Sequence, residues 1–170
     1  MARAKTQPFI VTEVITAAST TAVQSGTLDL SAYVDPGDSQ GVEIMAVDYI
    51  WFNSSDNMPA SHSADFRAVS QLKDNTNGNL VAYDNIHLVS SGSIYFDSQN
   101  VVSNVSDVYP DILYISKDGG RVTVNDSMEI CVKSSASVAN LACAVRITMR
   151  VISLTKKDYM TLALQTVSDN

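Results

Sequence analysis

The chain has 170 residues, of which 45% are hydrophobic and 17% charged, and its 18 acidic against 11 basic side chains leave a net charge of −7. That length supports one domain with its own core, and the apolar share excludes a disordered chain. No apolar run reaches the roughly 18 residues of a membrane span, and acids that are 15 Asp to three Glu speak against a helical bundle, because Asp prefers turns and caps to helix interiors.

Taken in order, the chain reads as short apolar segments separated by turn residues. Residues 1–8 form a short basic arm carrying Arg3 and Lys5 and ending at Pro8. No apolar stretch follows the arm, so no secretion signal is expected. Residues 9–17 and 22–30 read as strands, and Asp35-Pro36-Gly37-Asp38 as a turn. Residues 41–53 carry large apolar side chains in both phases of a strand: Val42, Ile44, Ile50 and Phe52 in one, Met45, Val47, Tyr49 and Trp51 in the other. Such a strand is either central in a two-layer structure or covered by a neighbouring subunit. A polar loop over 53–63 follows, then 64–72 as a helix or strand, then a turn over 73–79 through Asn77-Gly78.

Strands are expected over 80–89 and 93–101, around a turn at Ser90-Ser91-Gly92. The segment 108–117 reads as an edge strand because of Pro110, and Asp118-Gly119-Gly120 as a hairpin turn into 121–133. Residues 141–154 alternate most regularly, with Leu141, Cys143, Val145, Ile147, Met149 and Val151 on one face and Arg146 and Arg150 on the other. Residues 156–167 read as a strand or a short helix, and the span 156–170 as a C-terminal strand or arm beyond a sandwich over 9–155. The whole predicts an all-β antiparallel sandwich, a single jelly roll of about eight strands.

Chemistry is sparse. The two histidines, His62 and His87, fall in no metal-ligand spacing. Ser70-Gln-Leu-Lys73 matches Ser-x-x-Lys, but the Lys-Thr-Gly that would complete an acyl-transferase set is absent. Asp35 with Asp38, and Asp107 with Asp111, are open to sharing a calcium ion, with turn capping the favoured reading. Tyr49, Trp51 and Phe52 could line a sugar-binding face, though a buried strand is the commoner use of such a cluster. If 122–133 and 141–154 form one hairpin, Cys131 and Cys143 face each other across it, as a cross-strand disulfide or, preferred here, as two buried thiols. The expectation is a protein without catalytic residues, cofactor, metal or small-molecule substrate.

Charge is segregated. Residues 6–145 hold 16 acids and five bases, while the two ends hold six bases, Arg3, Lys5, Arg146, Arg150, Lys156 and Lys157, against two acids. With the termini on one side, these six would form a mildly basic inner face toward nucleic acid or anionic lipid.

The layout of short basic arm, some eight strands, two-sided strand 42–52 and missing active site resembles that of a single jelly-roll capsid protein of an icosahedral virus. Its size is similar to that of the small capsid proteins of archaeal and bacterial viruses with an internal membrane. The resemblance implies a self-assembling virion subunit, put together in the host cytoplasm. Its partners would be further copies of itself, other virion proteins and, through the basic face, the genome or the internal membrane. Interface candidates are Phe9, Ile10, Tyr49, Trp51, Tyr159 and Leu162. The alternative is a non-catalytic binding module, either carbohydrate-binding or a phage decoration or fibre domain.

Overall fold

The computed structural model describes residues 3–17, 20–60, 62–99, 102–109 and 120–167. In chain order these form β1 (Arg3–Ala4), β2 (Phe9–Thr16), β3 (Gln24–Asp29), β4 (Gln40–Asn53), β5 (Phe66–Lys73), β6 (Leu88–Asp97), β7 (Val102–Tyr109), β8 (Arg121–Thr123), β9 (Ser127–Ser134), β10 (Leu141–Ser153) and α1 (Lys156–Val167). Two antiparallel sheets face each other. The first runs β2–β10–β4–β8, with β1 continuing beyond β2 along the same edge of β10; the second runs β3–β9–β5–β6–β7.

The pairings β5 with β6, β4 with β8, β3 with β9 and β2 with β10 are nested like the rungs of one long hairpin. Rolling that hairpin sends successive rungs to alternate sheets and places the first strand beside the last. The result is a jelly roll, with β1 and β7 added at its margins. Core side chains come from both inner faces: Val42, Ile44, Val47, Tyr49 and Trp51 of β4 and Val145, Ile147 and Met149 of β10, against Phe66 and Leu72 of β5 and Met128, Ile130 and Val132 of β9.

Three expectations are corrected, and a fourth, left open, is resolved. First, β4 is not two-faced in the way its sequence suggests. Thr148 of β10 opposes Ala46 and Met149 opposes Ile44, so Met45 bulges out of register. The bulge shifts the alternation by one residue, and Val42 and Ile44 share the inner face with Val47, Tyr49 and Trp51. Second, Ser90-Ser91-Gly92 is no turn: β6 runs through it, and 80–87 is not a strand. Gly92 is there for close approach, since a Cβ at that position would lie 2.4 Å from the Tyr49 ring. Third, 121–133 breaks at 124–126, sending β8 to the first sheet and β9 to the second, so β9 and β10 are not a hairpin. Fourth, the segment 156–167, read as a strand or a short helix, is the helix α1. Thr155 caps it, with Oγ1 accepting from the Asp158 N–H at 3.1 Å, and Asp158 lies in the first turn, where the helix dipole favours an acid. The ambiguous segment 64–72 resolves as the strand β5. Residues 110–119, which hold most of the expected strand 108–117 and part of the turn at 118–120, lie outside the described residues.

Candidate functional site

The interface candidates fall in different places. Tyr49 and Trp51 are only 6% and 5% exposed within the chain's own core, so neither is offered to a neighbour. Of the two readings of Tyr49, Trp51 and Phe52, the buried strand holds for Tyr49 and Trp51, while Phe52 is half-buried. Phe9 is half-buried against Tyr33, with ring centroids 5.1 Å apart. Tyr159 is buried and Leu162 half-buried, the inward side of α1. Burial, and then the charge of Asp35, raises the Tyr159 hydroxyl pKa above its ordinary value. Ile10 alone of the six is a large, well-exposed apolar side chain.

Ile10 belongs to a wider apolar surface on the outer face of the first sheet. The register sets Val14, Ala144 and Ile50 in one row across β2, β10 and β4, and Ile10, Thr148 and Ala46 in another. Between them runs Thr12, Arg146 and Asp48. Ile10, Val14 and Ile50 are 54%, 51% and 43% exposed. Sequence reading missed Val14 and Ile50. The regular alternation of β2 could have found Val14, but the bulge at Met45 hid the phase of Ile50.

The basic candidates do not form one inner face. Arg3 pairs opposite Ser153, and α1 begins three residues later, so Arg3, Lys5, Lys156 and Lys157 are brought to one end of the sandwich. There Lys5 donates to Gln40 Oε1 at 2.8 Å and lies 3.7 Å from Asp38. Arg146 stands instead on the outer face of the first sheet, as does Arg150, whose Nε donates to Glu43 Oε2 at 2.5 Å. Burial alone would raise the Glu43 carboxyl pKa, but Arg150 and the Gly120 N–H outweigh it and hold it below the ordinary value.

The outer face of the second sheet is built differently. Residues 74–87 fold back across one end of it. Lys73, fully buried, meets Glu129 Oε2 at 2.7 Å and also donates to Asn77 Oδ1 and to the carbonyl of Asn79. The Gly78 N–H reaches both Glu129 oxygens at 3.0–3.1 Å, and Gly78 takes the left-handed φ of +72° that the Asn-Gly turn requires. Gln71 holds Val81 by two hydrogen bonds, side-chain Nε2 to carbonyl at 3.0 Å and backbone N–H to Oε1 at 2.9 Å. At the loop's base, Asp74 accepts from Arg121 at 3.0 Å and meets His87 Nδ1 at 2.8 Å. Burial pulls the Glu129 carboxyl pKa up, yet Lys73 and Gly78 outweigh it and leave it lowered.

This arrangement places the residues of the chemical motifs. Ser70 points into the core and Lys73 to the opposite face of β5, where Glu129 already binds it, so the two cannot act as nucleophile and base. Cys131 lies under the loop, with Sγ 3.5 Å from the Asn79 carbonyl, while Cys143 faces the core; they are free thiols in different sheets. Burial pushes the Cys143 thiol pKa up to about 12. Asp35 Oδ1 accepts from the Gly37 N–H at 2.8 Å, a turn cap. The side chains of Asp107 and Asp111 lie outside the description. Among the described residues no three His, Cys, Asp or Glu side chains are grouped to hold a metal, and no helix is long and apolar enough to cross a membrane.

No family model matches the chain, and no curated protein matches it.

Proposed function

We propose that this chain is a self-assembling structural subunit of an icosahedral viral shell, acting without catalysis and residing in the virion. Capsid proteins, lectins and cupins share the jelly roll, so the fold alone does not choose among them. The observation that carries the choice is the outer face of the first sheet, where Ile10, Val14 and Ile50 stand half-open to solvent. A flat sheet face bearing three large aliphatic side chains gains by being covered, and in a shell the cover is another subunit.

Arg146 and Asp48 cross the centre of that face at opposed register positions. They give a neighbouring copy a polar pair to match between its apolar rows, which fixes orientation more than it adds affinity. The end carrying Arg3, Lys156 and Lys157 is the side turned toward the genome or an internal membrane, while the acidic body faces outward. Other virion proteins are expected at the shell's special positions.

Size-exclusion chromatography with light scattering, across salt and pH and with negative-stain microscopy of every peak, tests this reading. Rings, capsomers or shells are expected. A chain that stays monomeric at high concentration under all of these conditions overturns self-assembly.

A further inference from the structure

The loop over the second sheet covers only one end of it. At the other end β5, β6 and β9 floor an open groove of about 340 Å³, lined by Arg67, Val69, Ser93, Tyr95, Lys133 and Ser135. Register explains the grouping: Arg67 opposes Tyr95, and Val69 opposes both Ser93 and Lys133. Ser135 is tied to Arg67 by two hydrogen bonds, the Arg67 N–H to Ser135 Oγ at 2.9 Å and the Ser135 N–H to the Arg67 carbonyl at 2.7 Å. Arg67 and Lys133 thus occupy neighbouring diagonal positions on one face, about 7–8 Å apart along the backbone, within reach of long side chains.

Two like charges so placed repel each other, and among the described residues neither has an ion-pair partner. Two carboxylates nearby in the chain, Asp65 just before β5 and Asp97 at the end of β6, accept hydrogen bonds. Asp65 Oδ1 accepts from the N–H and hydroxyl of Ser98 at 2.9 and 2.8 Å, and Asp97 Oδ1 accepts from the Gln99 N–H at 2.9 Å. In a chain with a net charge of −7, two cations without an ion-pair partner among the described residues thus stand beside an aromatic ring, Tyr95, that is 45% exposed.

We propose that this groove binds a saccharide carrying a carboxylate, a uronic or sialic acid residue of a glycan. The apolar C–H face of the sugar ring lies on Tyr95 and Val69. Its carboxylate takes the planar guanidinium fork of Arg67, with Lys133 as a second charge, and its hydroxyls reach Ser135. The volume is at the lower end of the range for small-ligand sites, which suits one or two sugar rings. A bare phosphate would use the two cations and leave the apolar floor empty. A long polyanion would meet the acidic body around the groove. The groove lies on the sheet opposite the proposed assembly face, so the two readings stand or fall separately.

Saturation-transfer difference NMR reads the ligand's own signals whatever the size of the protein assembly, and it supplies the test. The ligands are the methyl glycosides of glucuronic and N-acetylneuraminic acid, with methyl glucoside as neutral control and acetate as bare-anion control. Saturable transfer to the sugar acids is expected, with both controls about tenfold or more weaker, the factor one charge-assisted hydrogen bond supplies. Arg67→Gln and Tyr95→Ala each weaken sugar-acid binding about tenfold. Arg67 and Tyr95 are both exposed, so these variants keep the wild-type unfolding midpoint, which is checked alongside. Equal binding of methyl glucoside, equal binding of acetate, no saturable transfer to either sugar acid, or full binding by both variants would each overturn the proposal.

Discussion

On the outer face of the second sheet, Lys73, Glu129, Gln71 and Cys131 are sealed beneath residues 74–87 of their own chain; on the outer face of the first, Ile10, Val14 and Ile50 stand open. The inner faces of the two sheets solve one problem together, but each outer face is handled on its own. In the second sheet a buried ion pair pins a loop in place. Burying charge this way contributes little net stability, but it gives the loop a place where Lys73 is satisfied by Glu129, Asn77 and Asn79. On the first sheet Arg150 and Glu43 also pair, yet among the described residues Ile10, Val14 and Ile50 stay exposed, and it is this face that we propose a neighbouring copy covers. On the function proposed above, satisfaction within the chain and satisfaction by a partner would occupy opposite sides of one sandwich.

The sharpest way to break this contrast is at the pin. Glu129→Leu leaves Lys73 charged and buried without its counter-ion, and is expected to cost about 3–5 kcal/mol in urea unfolding. Lys73→Met combined with Glu129→Leu is expected to recover most of that loss, because an apolar pair of similar volume replaces the ion pair. A single variant as stable as wild type would show that the loop is not held there. Next in size is the inner face: Gly92→Val drives a side chain into the Tyr49 ring and should cost about 1–3 kcal/mol, read as a lowered unfolding midpoint.

Acid sharpens the comparison further. Glu129 and Glu43 both have folded-state pKa values below their ordinary ones. Their contribution is therefore fully present above the ordinary carboxylate value of 4.5 and is lost as pH falls through the lower folded values. Wild-type stability should decline over that acid range, and the decline should be shallower in Glu129→Gln. On the open face the expected effect on stability is the smallest: Val14→Ser and Ile50→Ser should each stay within about 0.5 kcal/mol of wild type, as exposed positions do.

The sequence carried the sandwich because β2 and β10 alternate without interruption, and period-two alternation is the direct signature of a half-buried strand. It misled wherever a local residue served a distant contact. Gly92 reads as a turn residue, yet its reason lies in the Tyr49 ring on the other sheet. Met45 reads as one more apolar strand residue, but as a bulge it reverses the phase of everything before it, and this made Tyr49 and Trp51 look like surface candidates. Residues 124–126 did carry a local sign of the change of sheet, the turn-forming pair Asn125-Asp126, which the reading of 121–133 as one strand passed over. The helix was partly legible, since Thr155 followed by Asp158 is a capping pattern, although Lys156 and Lys157 at the same end oppose the dipole. The loop's pin was legible as residues but not as a site. Lys73 was read within a turn and as part of Ser-x-x-Lys, and only the register of β5 against β9 brings Glu129 to it.

The most direct test of the open face is to charge it. Sedimentation velocity of the wild-type chain beside the double variant Val14→Asp/Ile50→Asp, with circular dichroism to confirm that both remain folded, separates assembly from stability. The expected result is a wild type that sediments as assemblies and a folded variant that sediments as a monomer. A variant that assembles as the wild type does, or a wild type that is itself a monomer, would contradict the assignment of this face to a neighbouring copy.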